Sequence, residues 1–403
     1  MEAIESLPLQ IKARLLALAG DCGLPEALMP FLSAILSISP ILMVFPFLFA
    51  MTTIVERKGL GRIQNRYGPN RVGIPFTDIR LAGFGQFIAD GIKSLTKEDV
   101  VPRVADRWLH LLAPVLLAVP VLLTYSVLPV GRGMVPLELD AGLLFFFAVG
   151  GTAELAVFIA GWSSRNKYSL LGAMRGIAQM ISYEMPLILS ALVVVMAAGS
   201  LSPVAIVEQQ AQYGRLGIAQ WNLFSPWGLM GFVLFFIAAL AESNRSPFDL
   251  PEGESELVAG YFTEYSGFKF ALFFLAEYLG LFAALGMGIT LFLGGWSAPV
   301  KWLTFIPTWG WFFLKLGVMV VLVIWIRGTV PRLRMDQLMS FAWKFMLPLA
   351  LLNFLLAGAV RFLPSVLAQW MAAVPLLVFA WGALGRAVGG GRPPAARVYR
   401  FAE

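Results

Sequence analysis

Six carboxylates gather in one short segment of this chain, AESNRSPFDLPEGESELVAGYFTEYSG at residues 241–267. Glu242, Asp249, Glu252, Glu254, Glu256 and Glu264 share it with a single cation, Arg245. Carboxylates this close repel one another, so a folded loop must hold some of them protonated or hydrogen-bonded. They then titrate as a group, with some apparent pKa values raised toward neutrality. Such a group can take up, release or pass protons; the competing reading is a solvated acidic face that docks a partner. Other ionisable residues stand inside long apolar runs: Glu154, Glu184, Glu277 and Lys315. Groups of this kind at membrane depth are costly and usually functional. Joined by water or side chains they can carry protons; singly, each simply hydrogen-bonds a neighbouring helix. Lys315, in the middle of WFFLKLGVMVVLVIWI, needs a carboxylate or water beside it, and Glu154, Glu184 and Glu277 are the candidate partners.

One cysteine, Cys22, and one histidine, His110, limit the remaining chemistry. An iron–sulfur cluster needs several thiolates, haem commonly takes a histidine, and a Cys/His zinc site has too few ligands here. If redox chemistry involves this chain, the electron carrier belongs to a partner. His110 heads an apolar run and reads as an interfacial residue. The basic stretch ERKGLGRIQNRYGPNRVG at 56–73 has no Walker spacing and no preceding strand, which argues against a nucleotide site. Its cations follow the preference of cytoplasmic loops for Lys and Arg, which leaves the rigid turn chemistry of Tyr67-Gly68-Pro69-Asn70 unexplained.

The elements that must hold these residues are membrane helices. The 403 residues are 59% hydrophobic and 13% charged, with a mean hydropathy of +0.78, and runs of about 20 apolar residues span a bilayer. The expected fold is all-α, a polytopic bundle of about nine spans near 31–54, 109–130, 141–161, 170–198, 226–241, 267–294, 309–327, 343–362 and 366–386. Placing the N-terminus outside puts 23 of the 30 Lys and Arg on inward segments, six outside and Lys315 within a span. That asymmetry favours an outer N-terminus, an inner C-terminus and an inward acidic loop. In DIRLAGFGQFIADGIKSLTKED the residues Leu81, Phe84, Ile88, Ile92 and Leu95 recur at helical spacing, which predicts an amphipathic surface helix over 80–97. Leu7, Ile11, Leu15 and Leu18 predict a short interfacial helix near the start, without the arrangement of a cleaved leader.

Several strings are distinctive: ERKGLGRIQNRYGPNRVG, KEDVVP, AGWSSRNKYSLLGAMRGIAQMISYE, the acidic loop continuing into FKFALFFLAEY, and RGTVPRLRMDQLMSFAWKFMLP. In order, from about residue 30 to 362, they resemble the H-subunit family of respiratory complex I. This is the mitochondrial subunit 1 family, at the heel of the membrane arm of NADH:quinone oxidoreductase. The resemblance covers a 31–362 membrane domain of eight spans; outside it the sequence leaves a 1–30 N-terminal interfacial segment and a 363–403 extension with one more expected span and a cytoplasmic tail. It implies a subunit without its own prosthetic group that binds a quinone substrate, ubiquinone or menaquinone, against the peripheral arm. Iron–sulfur clusters and FMN would sit on partner subunits. Those partners would be the quinone-site subunits of the peripheral arm and the small and antiporter-like membrane subunits, all in a bacterial inner membrane; no nucleic acid is implied. Carried over by motif, Glu56, Arg57, Arg66, Arg245 and Arg327 would line or brace the quinone chamber. Tyr168 and Arg175 would occupy polar positions near the fourth span. Proton coupling would begin at Asp249, Glu252, Glu254 and Glu256 and lead inward through Glu242, Glu184 and Glu277, with Glu154 and Lys315 beside them. Two rival readings are a related membrane subunit of an energy-converting hydrogenase or ferredoxin-linked oxidoreductase, and a stand-alone ion transporter.

Overall fold

The computed structural model describes residues 5–21, 25, 28–73, 82–214, 217–251, 253 and 258–389. Among them the chain is helical throughout, with three isolated bridges and no strand. Eight helices are long and apolar enough to cross a membrane. In chain order the helices are α1 Leu7–Asp21, α2 Met29–Ile63, α3 Gln86–Thr96, α4 Arg107–Thr124, α5 Gly142–Gly150, α6 Ala153–Ser163 and α7 Lys167–Ala198. They continue as α8 Pro203–Gln210, α9 Gly228–Glu242, α10 Gly267–Phe292, α11 Thr308–Thr329, α12 Met335–Phe341, α13 Leu347–Val360 and α14 Val366–Gly389. A π-helical turn, Ala342–Met346, joins α12 to α13 into one span.

The difference from nine expected spans lies at 226–241. There α9 has 15 residues, about 22 Å of helix against a hydrocarbon core of about 30 Å. Its start is fixed by the compact turn at Asn222–Phe224, which leaves no room for a side chain at position 228: a Cβ on Gly228 would lie 1.7 Å from the Asn222 carbonyl oxygen. The span expected at 141–161 is two helices, α5 and α6, broken at Gly151 and Thr152.

A second difference concerns the basic stretch after the first span. The sequence places 56–73 in a loop, yet α2 continues to Ile63, 35 residues or about 52 Å. Glu56, Arg57, Lys58 and Arg62 therefore stand on the last turns of a helix that outruns the bilayer. It stops where Asn65 takes a positive φ of 55° and the Arg66 amide folds back to the Gly61 carbonyl at 2.8 Å. The surface helix appears as α3, with Ile88, Ile92 and Leu95 exposed; Arg80 and Leu81 lie outside the described residues.

At the centre is α10, buried without interruption from Leu281 to Phe292. Small residues let the helices close on one another where apolar burial alone gives no drive in lipid. A Cβ on Gly172 of α7 would come within 2.6 Å of the Gly260 Cα, and one on Gly286 of α10 within 2.9 Å of Leu128. Outside this core, α1 is tied to α2 by a Lys12–Ser37 hydrogen bond of 2.7 Å, and α14 packs Trp381 edge-on against Phe345 at 4.9 Å.

The connections gather at two ends. One end joins 94–106, 163–166, 243–251, 258–266 and 327–334, through Val100 to Ser266 at 2.9 Å, Asp106 to Ser163 at 3.0 Å and Leu333 to Pro247 at 3.2 Å. The other joins 126–143, 196–214, 217–222 and 290–308, through Leu143 to Leu201 at 3.0 Å and Ala219 to Pro299 at 3.0 Å. In a Cys22→Ser background, Arg103→Cys and Asp140→Cys should therefore be labelled by a membrane-impermeant thiol reagent from opposite sides of sealed vesicles. Labelling of both from one side would contradict this arrangement.

Candidate functional site

The last turns of α2 carry Glu56 against α10 and α11. Two glycines make that approach possible: a Cβ on Gly59 would meet Ile324 at 3.3 Å, and one on Gly328 would meet Ile63 at 2.6 Å. Glu56 is buried and accepts two hydrogen bonds, from the Tyr278 hydroxyl on Oε2 and from the Arg327 guanidinium on Oε1. Arg327 belongs to the last turn of α11, where a cation also opposes the negative end of the helix dipole.

The ring of Tyr278 has a second partner. The Arg245 guanidinium lies 3.9 Å from its centroid and 4.9 Å from that of Phe274, both close enough for a cation–π attraction. Arg245 is 4% exposed and reaches Glu277 at 3.4 Å, while the Tyr261 hydroxyl donates to the same carboxylate at 2.9 Å. A continuous chain results, buried except at its partly exposed first member: Arg327, Glu56, Tyr278, Arg245, Glu277, Tyr261. Acid and base alternate along it, with a phenol at its centre and another at its end. Removing one member of such a buried pair leaves an uncompensated charge, which costs far more than losing a surface contact.

Beyond Glu277 the chain opens on a cavity of about 80 Å³. Glu277, Tyr261, Glu242, Asn244 and Thr124 give it polar walls, and Leu117, Val121 and Phe146 give it apolar ones. Among the described residues nothing hydrogen-bonds the Glu242 side chain, although Glu154 and Glu184 are close enough to act on it electrostatically. Glu184 fits beside the break between α5 and α6, its Oε1 3.1 Å from where a Cβ on Gly151 would stand. Gln179 of α7 fastens the start of the acidic loop, donating to the carbonyls of Ala241 and Phe248, each at 2.6 Å.

The structure thus brings Glu56, Arg245, Arg327, Glu277 and Glu242 together, with Glu154 and Glu184 outside the cavity lining but within electrostatic reach of Glu242. Asp249 adjoins this group: it acts electrostatically on Glu277, and Arg332 donates to its carbonyl. Glu252, Glu254 and Glu256 lie outside the described residues. Glu264 stands apart, bonded by Asn166 at 2.7 Å, and beside it burial pushes the Tyr265 phenol up to about 12 against the hydrogen bonds of Ser163 and Ser164. Two of the expected chamber cations have other partners. Arg57 pairs with Asp90 of α3 at 2.6 Å, both half-exposed, and Arg66 is exposed and bonds Gln64 at 2.8 Å. Among the described residues no three of His, Cys, Asp and Glu gather to hold a metal ion.

One expectation needs correction. Among the described residues Lys315 meets no carboxylate: its Nζ donates to the carbonyls of Leu293, Gly295 and Ser297, because the turn after α10 reaches it before any acidic side chain does. His110, in the first turn of α4, is fully buried and stacked on Tyr265 with ring centroids 4.0 Å apart. Sequence reasoning also missed Tyr278, Tyr261 and Gln179. The one available signal was adjacency: neighbouring helical positions lie about 100° apart, so a tyrosine beside Glu277 serves the next face of the same helix.

Fold and site together define a polytopic helical membrane protein with a buried relay of acids, bases and phenols opening on an internal acidic cavity. The NADH dehydrogenase family matches residues 36–358, and the chain belongs to that family. It is similar to the H subunit of the NADH-quinone oxidoreductase of Carboxydothermus hydrogenoformans, with 48% identity over 317 residues, 78% of this chain and 85% of that protein. The corresponding H subunits of Geobacillus kaustophilus and Bacillus cytotoxicus are 48% and 46% identical over 308 residues, 76% of this chain and 88% of each relative. The matched region stops before α14, which is an addition to it.

The relay makes a stability prediction. Arg327→Gln should destabilise the assembled chain by about 3–5 kcal/mol, and adding Glu56→Gln should recover most of that loss. Asp90→Asn, which breaks the half-exposed Arg57 pair, should cost no more than about 1 kcal/mol. Thermal midpoints of the isolated proteins check both; strictly additive losses for Arg327 and Glu56 would contradict the pairing.

Proposed function

We propose that this chain is the quinone-chamber subunit of a proton-pumping NADH:quinone oxidoreductase, and that the buried relay couples quinone reduction to proton movement. The observation that carries the reading is the chain from Arg327 to Tyr261 ending on a cavity lined by Glu277 and Glu242. A quinone that gains two electrons gains two protons, and a reaction beside Glu56 would change the charge that Arg327 and Tyr278 must balance. Tyr278 and Arg245 would pass that change to Glu277. A cavity of this size has room for several waters, with Glu277, Glu242, Tyr261, Asn244 and Thr124 as polar partners, and these would link Glu277 to Glu242, which Glu184 and Glu154 influence electrostatically.

The acidic loop, with Asp249, Glu252, Glu254 and Glu256, would supply protons at the chamber side. Arg57 and Arg66 would flank the entrance beside α3, whose exposed apolar ridge suits a surface in contact with lipid. Lys315 has no place in this path. The proposed setting is a bacterial inner membrane with the N-terminus outside, the C-terminus inside and the acidic loop facing the cytoplasm. Electrons would come from iron–sulfur clusters and FMN on partner subunits, and the remaining partners would be neighbouring membrane-arm subunits. The high identity to H subunits of NADH-quinone oxidoreductases supports this reading over a hydrogenase-type relative.

Glu242→Gln tests it, since the amide keeps size and removes the titratable group. In assembled complex, proton translocation driven by NADH and quinone should fall by roughly a hundredfold, the lower side of the loss expected from removing a positioned proton-transfer group. NADH oxidation by an artificial acceptor on the peripheral arm should be unchanged. Full pumping in that variant would remove Glu242 from the path.

A further inference from the structure

The most completely satisfied cation among the described residues lies outside the relay. Lys315 projects from α11 into the turn that follows α10, and its Nζ donates to the carbonyls of Leu293 at 2.6 Å, Gly295 at 2.8 Å and Ser297 at 2.7 Å. The indole of Trp221 covers another side, its centroid 4.3 Å from Nζ. An ammonium has three N–H donors and no acceptor, so three carbonyls use every donor it has. The indole face adds attraction without needing a proton. Neutral oxygen dipoles and a π face hold this group, with no carboxylate among its contacts with the described residues.

The sequence builds this cage from parts that do not depend on Lys315. Gly294 and Gly295 take positive φ angles of 68° and 51°, a region in which glycine alone rests without strain. Neither has room for a side chain: a Cβ on Gly294 would lie 2.4 Å from Ser297 Oγ, and one on Gly295 would lie 2.6 Å from Val207. The turn's amides are committed elsewhere. Gly294 N–H donates to Gln210 Oε1 at 3.1 Å, Gly295 N–H to the Ile289 carbonyl at 2.9 Å and Ser297 N–H to the Gly294 carbonyl at 2.8 Å. The Trp221 indole N–H is fixed on Ser297 Oγ at 3.0 Å. With these donors engaged, the carbonyls of Leu293, Gly295 and Ser297 converge on one point.

We propose that the turn Leu293–Ser297, faced by Trp221, is a preorganised primary-ammonium site that the chain fills with its own Lys315. With that side chain removed, the same cage accepts a small soluble alkylammonium. Lys315 is then a fastening for α11 and not a proton carrier. Arg327 follows 12 residues later, about 18 Å along the same helix, so two cations pin α11 at separate levels, one in the cage and one on Glu56 at its last turn. The inference rests on these contacts alone and stands apart from the quinone reading.

Chemical rescue tests it in the complex isolated in mild detergent and carrying Lys315→Ala, read as the temperature at which this chain leaves the complex. The variant should lose several degrees. Ethylammonium should restore most of the loss at concentrations that leave the parent unchanged, whereas tetramethylammonium, with equal charge and no N–H, should not. An undiminished midpoint, an equal response to both cations or no response to ethylammonium overturns the proposal. Should Lys315→Ala fail to assemble, the parent complex decides: a membrane-permeant amine-acylating reagent should modify exposed Lys301 and spare Lys315. Modification of both at similar rates would overturn the proposal.

Discussion

A charge taken out of water must find its partner inside the protein, and at the centre of this bundle Arg245 and the adjacent pair Glu277 and Tyr278 meet that demand. An unpaired buried ion costs several kcal/mol, more than the packing of any one helix can spare. Because the two α10 residues are neighbours, one serves the cavity and the other serves Glu56, while Arg245 touches both. Much of the surrounding structure meets conditions this arrangement sets. The helix α2 outruns the bilayer and so delivers Glu56; glycines at 59 and 328 let α11 close on it and deliver Arg327. The loop bearing Arg245 is held from two sides, by Gln179 and by the Arg332–Leu333 segment.

The two buried cation systems differ in what they permit. Lys315 is held by backbone carbonyls, which do not titrate, so its surroundings offer one arrangement. In the relay, each arginine faces a carboxylate that also accepts from a tyrosine hydroxyl. In the proposed coupling, a proton arriving on either carboxylate would change what its arginine balances, and Arg245, which touches both a carboxylate and an aromatic face, would be the group to answer. The cavity beside it holds Glu242, whose carboxyl has no hydrogen bond among the described residues, within electrostatic reach of two more acids.

Much of this was legible in the sequence. Hydropathy locates the apolar runs because a helix in lipid must satisfy its backbone internally and present apolar side chains all round. The periodicity of Ile88, Ile92 and Leu95 marks α3 for the same reason in its interfacial form. The misses have physical causes. Composition does not report where helical hydrogen bonding stops, so ERKGLGRI, rich in Gly and Arg, reads as loop although its backbone continues α2. The short α9 and the break at Gly151 are likewise invisible to an average over apolar residues. Which charges pair is a question of which helices touch. Lys315 looked for a carboxylate in the sequence and found the carbonyls of a glycine turn, a partner that no side-chain inventory contains.

The central claim is that Glu277 shares its proton balance with the Glu56 end of the relay through Arg245 and Tyr278. Redox-induced infrared difference spectroscopy of the isolated complex tests it most directly, because carboxyl groups absorb apart from the amide bands. The account predicts a carboxyl signal on quinone reduction that is lost in Glu277→Gln and shifted, with Glu277 still present, in Tyr278→Phe. An identical carboxyl region in parent and Tyr278→Phe complexes would contradict it.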